Sequence, residues 1–142
     1  MRSFDITGNE FSIKPLPGFS VDEAASRLSE LLKRRGFGVL GDISFDRVLK
    51  EKTGAQVEPI RLLEVCKPPF ALKAIESDRL LAQAMPCRIT LFGEEKGVSV
   101  SLYRPTAAMK MVAGKSEDIA SAVESELLEA IDELGRAGVE AK

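Results

Sequence analysis

Apolar and polar residues alternate at the start of the chain and again past its middle, and between these stretches apolar positions recur at helical spacing. From Ser3 to Lys14, Phe4 and Ile6, then Phe11 and Ile13, alternate with polar neighbours. This predicts an extended segment, with Gly8-Asn9 as a bulge or turn and Pro15 and Pro17 closing it. Ser20-Val21-Asp22-Glu23 has the form of a capping box, in which the serine oxygen accepts from the backbone three residues on and the glutamate reaches back. Val21, Ala24, Ala25, Leu28, Leu31 and Leu32 then share one face of a helix. Arg35-Gly36 ends it, glycine being free to take the left-handed conformation of a C-cap. A strand from Phe37 to Ile43 follows, then a short helix from Ser44 to Lys52 closed by Gly54, then an extended run from Val57 to Cys66. Pro68-Pro69 open a helical segment reaching Asp78, since the first turn of a helix has no use for the N–H that proline lacks.

Pro86 introduces a strand from Cys87 to Phe92, Gly93 to Gly97 make a polar turn, and Val98 to Tyr103 return. Val98, Val100 and Leu102 lie on one face of the return strand and Ser99, Ser101 and Tyr103 on the other, the pattern of an antiparallel hairpin. The last helix is capped at Ser116, buries Ile119, Val123, Leu127, Ile131 and Leu134, and frays at Gly135 and Gly138. Two amphipathic helices need an apolar layer to cover. The predicted fold is therefore α+β, a two-layer sandwich of a mainly antiparallel four- to five-stranded sheet with two long helices, from Ser20 and from Ser116, on one face. One domain spans residues 1–142. The run from Val57 to Cys66 is apolar on both alternations, Ile60 and Leu62 against Leu63 and Val65, whereas a sheet with one wet face alternates more cleanly. That predicts cover for part of the second face, from the short inserts or from a second copy in a homodimer.

Composition narrows the function classes. With 20 Lys and Arg against 22 Asp and Glu, the net charge is −2, and no nucleic-acid partner is expected. The basic run Lys33-Arg34-Arg35 suits the negative pole of a helix end. No apolar run reaches the roughly 18 residues of a membrane span. The alternating N-terminus does not read as a secretory signal, and two cysteines are not a secreted disulfide framework. A cytoplasmic protein is expected. Histidine is absent, which removes the commonest general base and neutral metal ligand, together with any Ser-His or Cys-His pair within the chain. Neither a phosphate loop nor a dinucleotide fingerprint occurs, and Gly36-Phe37-Gly38 follows a helix where such a loop follows a strand.

Cys66 is the sharpest candidate for chemistry. It precedes the Pro-Pro start of a helical segment, and Lys67 adds a cation beside it; both favour thiolate over thiol. The alternative is a small buried hydrophobe, which free cysteine commonly is. Cys87 opens a strand. If the two sulfurs face one space they can form a reversible disulfide, or supply two thiolates of a metal site that carboxylates or a second subunit would have to complete. Met85, Met109 and Met111, with Phe92 and Tyr103, line an apolar ligand pocket or simply fill core. Glu94 and Glu95 read as solvated turn residues.

Four segments carry a resemblance. Leu63-Glu64-Val65-Cys66-Lys67-Pro68-Pro69-Phe70-Ala71 resembles the Cys-Asn-Pro signature of the domain of unknown function 302 family. Arg34 to Leu40 is similar to its Gly-Phe-Gly strand entry, Met85 to Leu91 to its Leu-Pro-Cys strand, and Arg104 to Met109 to its Asp-Pro-x-x-Met segment. The resemblance implies a strand-helix-four-strand-helix fold like the repeat of the TATA-box-binding protein, often dimeric, with no established activity or cofactor. Lys67 stands where the family usually has asparagine and Arg104 where it usually has aspartate, so a polar role for those family positions does not carry over. The expected function is a small domain that binds or senses a ligand, metal or thiol-reactive species around Cys66 and Cys87. The alternative is an interaction domain that mainly homodimerises, and a cysteine enzyme stands behind both.

Overall fold

In the computed structural model, residues 10–114 and 118–140 are described. The expected features at Phe4, Ile6 and Gly8-Asn9, and the cap at Ser116, lie outside them. The elements run β1 (Phe11–Pro17), α1 (Val21–Arg34), β2 (Gly38–Ser44), α2 (Phe45–Thr53), β3 (Ile60–Cys66), α3 (Pro68–Ser77), a 3-10 turn (Arg79–Ala84), β4 (Cys87–Glu94), β5 (Gly97–Tyr103), α4 (Pro105–Ala113) and α5 (Asp118–Glu140). The five strands form one antiparallel sheet in the order β1-β5-β4-β3-β2.

Local chemistry accounts for the ends of α1. The Ser20 hydroxyl accepts from the backbone N–H of Glu23 at 3.1 Å. At the other end Gly36 has φ +88°, and the N–H groups of Gly36 and Phe37 reach back to the carbonyls of Lys33 and Leu32. These bonds satisfy carbonyls that the helix itself leaves open. The expected apolar stripes then close the main core: Leu28 and Leu32 of α1, and Leu127 and Leu134 of α5, are fully buried over Leu63, Ile89 and Leu102 of the sheet. Burying such side chains is the main favourable term in holding the layers together. A second, smaller core of Ala74, Leu81, Met109 and Ala120 joins α3, the 3-10 turn, α4 and α5 at one end of the sheet.

Four readings of the sequence change. Pro15 and Pro17 do not close β1 but lie within it, opposite Ser99 and Gly97. β1 is an edge strand, where an N–H missing from the outer side costs no ladder bond. β3 starts at Ile60, three residues later than the extended run. The segment Pro105–Ala113, known from its resemblance alone, is helix α4, with proline in its first turn and Gly114 at φ +78° after its end. Gly135 does not fray α5, which continues to Glu140. A side chain there would meet Lys14 and Leu16 within 3.3 Å, so glycine lets α5 lie close against β1.

The face of the sheet away from α1 and α5 is laid out in cross-strand rows. The register aligns Gly41, Glu64, Arg88, Tyr103 and Phe11, one from each strand, in the first row. Ile43, Leu62, Thr90, Ser101 and Ile13 make the second, and Ile60, Phe92 and Ser99 continue into a third. This explains the apolar residues on both alternations of β3: Leu63 and Val65 serve the core, while Ile60 and Leu62 lie partly buried on the second face.

Candidate functional site

Two hollows adjoin the end of the sheet where β3 stops and β4 starts. The inner one is apolar, about 30 Å³ in volume, and brings together Cys66, Lys67, Met85, Cys87 and Met109, against Val123 of α5. Five of the six principal candidates from the sequence thus meet around one space. It holds little more than a single small group. Tyr103, the sixth, lines the outer hollow, and Met111 is on the surface at 77% exposure.

The chemistry expected of Cys66 is not supported by its surroundings. The Lys67 ammonium is held by both oxygens of Glu126, at 2.9 and 2.8 Å. It also lies over the rings of Phe37 and Phe70, 5.6 and 5.1 Å from their centroids, so its charge is spent on a carboxylate and two aromatic faces. The helix start contributes little as well: Pro68 and Pro69 fill the first two positions of α3 and have no N–H to offer. Burial raises the Cys66 thiol above its ordinary value. Cys87 is pushed up to about 12, first by burial and then by the charges of Cys66 and Glu124. Burial thus favours the thiol over the thiolate at both sulfurs. They are free thiols, and among the described residues no group of three or more histidine, cysteine or acidic side chains could hold a metal ion.

Glu124 was not singled out in the sequence, yet it is the most constrained acid beside the inner hollow. It is 6% exposed. Its carboxylate accepts from Arg104 Nε and Nη2 at 3.1 and 2.9 Å, and from the Thr106 backbone N–H and hydroxyl at 3.0 and 2.7 Å. Burial alone would raise its pKa, but the Thr106 and Arg104 hydrogen bonds outweigh that and hold it below the usual carboxylate value. Glu124 thereby caps α4 from outside, at the helix end that favours an anion. The two positions at which the chain departs from its look-alike motifs, Lys67 and Arg104, are each answered by a glutamate of α5.

The outer hollow, about 300 Å³, lies between α4, the end of the 3-10 turn and the first row of the second sheet face. It shares the wall Ala84–Cys87 and Pro105 with the inner hollow. Its polar end is Gln83, Glu64, Arg88 and Tyr103; its apolar side includes Met85, Ala108 and Val112. A further depression of about 330 Å³ continues from Arg88 and Tyr103 along the sheet to Phe11 and Phe92. Phe11 stacks on Tyr103 with centroids 5.0 Å apart. Arg88 is the residue that sequence reasoning missed here. The available signal was strand pairing, since alternation puts Arg88 on the same face of β4 as Phe92.

The family described as "Domain of unknown function DUF302" matches residues 13–134. Among solved structures, the crystal structure of an uncharacterized conserved DUF302 protein from Bacillus stearothermophilus is similar to this one, with a TM-score of 0.79 and 26% sequence identity, over 88% of this chain and 98% of that one. No curated protein matches the chain at a significant level.

Proposed function

We propose a ligand-binding role for this protein, starting from its family: the chain belongs to the DUF302 family, whose members are grouped by sequence and not by an activity. The observation that carries the reading is the outer hollow. Its volume of about 300 Å³ lies at the lower end of small-molecule sites, and it sets an apolar side against a group of convergent polar side chains. Cys87 and Met85 form part of the wall, and the thiols act as packing there, which turns the reading away from a cysteine enzyme or a metal sensor. The test is titration of 1-octanol into isotopically labelled protein, followed by amide chemical shifts. Saturable shifts confined to Gln83–Arg88 and Thr106–Val112, lost in Val112→Trp with the melting temperature kept, are expected. No saturable shift, or shifts elsewhere, would refute it.

A second reading has its own support. Phe11 and Ile43 on the second face are 45% and 37% exposed, and they share that face with Ile13, Leu62 and Phe92. Exposed apolar side chains gathered on one sheet face favour a protein partner, and a second copy is the simplest one. Light scattering at tens of micromolar is expected to give twice the 15.4 kDa chain mass. A monomer mass refutes self-association and leaves the ligand site standing.

A further inference from the structure

We infer that the ligand of the outer hollow is a medium-chain carboxylate, its head group on Arg88 and Tyr103 and its chain along α4. The inference rests on the binding role above and adds the chemical class.

The head group follows from the first row of the sheet. Arg88 stands between Glu64 on β3 and Tyr103 on β5. Its one ion pair among the described residues, Nη2 to Glu64 Oε2, is 3.6 Å long, beyond hydrogen-bond range. The reason is visible on β2. Glu64 folds over Gly41, where an added Cβ would stand 2.6 Å from Glu64 Oε1. One carboxylate oxygen thus turns toward β2, the other stops 3.6 Å short of Arg88, and the guanidinium keeps donors for a ligand. Tyr103 lines the same end. Its ring is fixed against Phe11, and its hydroxyl has no protein partner among the described residues. A guanidinium fork beside a phenol is a donor set that matches a carboxylate.

The chain length follows from the volume. A volume of about 300 Å³ is at the small end of ligand sites, which suits a chain of medium length. The apolar side is Met85, Pro105, Ala108 and Val112, with Met111 at the rim. Methionine adapts its shape to a flexible chain, and Met111, at 77% exposure, has apolar surface left for a bound chain to cover.

The test compares three probes of equal chain length, octanoate, 1-octanol and octylamine, by calorimetric titration and amide shifts. Octanoate is expected to bind about tenfold more tightly than octanol. Arg88→Gln is expected to bring octanoate down to the level of octanol, and Arg88→Lys to fall between. The Arg88 side chain is 53% exposed, so these variants should fold, and an unchanged melting temperature checks it. Equal affinity for octanoate and octanol, tighter binding of octylamine, or an Arg88→Gln variant that holds octanoate normally would each overturn the carboxylate and leave the binding role intact. If none of the three binds, both fall.

Discussion

Replacing Glu124 with alanine is expected to destabilise the fold by about 2–3 kcal/mol. The substitution removes four hydrogen bonds from a carboxylate that is 6% exposed. It leaves the Thr106 N–H without its acceptor at the start of α4, and takes the carboxylate from Arg104. Breaking a buried pair by deleting one partner costs about 3–5 kcal/mol. The Arg104 side chain is 32% exposed, so water recovers part of that, which brings the figure down. In a chain of this size the loss corresponds to a fall of about 6–10 °C in melting temperature. Glu124→Gln keeps an acceptor for Thr106 but not the charge, and should cost about 1 kcal/mol. The pH dependence has a definite sign. The folded-state pKa of Glu124 is depressed, so its stabilisation is fully present above the unfolded value of about 4.3 and is lost as pH falls through the lower folded value. Urea unfolding of the native protein and both variants, at pH 7 and in steps down to pH 3, measures this directly. The gap between native and Glu124→Gln should be widest at pH 7 and shrink in acid. A Glu124→Ala variant within about 0.5 kcal/mol of the native protein, or a gap that stays constant to pH 3, would refute the argument.

Alkylation of the thiols with iodoacetamide against pH should show Cys66 reacting faster than Cys87, with both midpoints above the ordinary thiol, about 8.5. Lys67→Met should leave the Cys66 midpoint where it is, because the ammonium is engaged by Glu126; a midpoint that rises in the variant would restore Lys67 as a thiolate stabiliser. Gly97→Ala should destabilise the fold by about 3 kcal/mol. Gly97 has φ +154°, and a Cβ there would stand 2.4 Å from the carbonyl oxygen of Leu16. An unchanged urea midpoint would contradict this.

The parts of the fold that could be read from the sequence are those in which one segment decides its own structure. The capping box at Ser20, the apolar stripes of α1 and α5 and the alternation of β5 each need only local spacing, and each is found. Helix α4 was harder because Pro105–Ala113 is apolar on several sides, with Met109 in the small core and Met111 in solvent, so no single stripe marked it. Proline at its start and Gly114 after its end were the legible signals. The candidate site divided in the same way. Residue types and strand ends singled out Cys66, Cys87, Met85 and Met109, but that they meet around one hollow emerged only in the fold. The fate of Lys67 depended on Glu126, 59 residues away, and on two phenylalanine rings that only the packed helices bring to it. Arg88 and Glu64 became a pair through register, which no local pattern displays.

The acids of α5 reach across the molecule. Glu124 meets Arg104, Glu126 meets Lys67, Glu129 and Glu133 meet Arg35, and Asp132 meets Lys14. Asp118–Glu140 carries seven acids and one arginine, a charge of −6 in a chain whose total is −2, so everything outside this helix sums to +4. The protein is thus two oppositely charged pieces joined in one chain, and its last helix is in effect a tethered counterion. Attraction between the pieces speeds docking at low ionic strength and is screened over about 10 Å at 0.1 M salt. Split before Asp118, the two fragments should accordingly reassociate at a rate that falls with added salt, whereas the apolar stripe of Leu127, Ile131 and Leu134 sets how long they stay together.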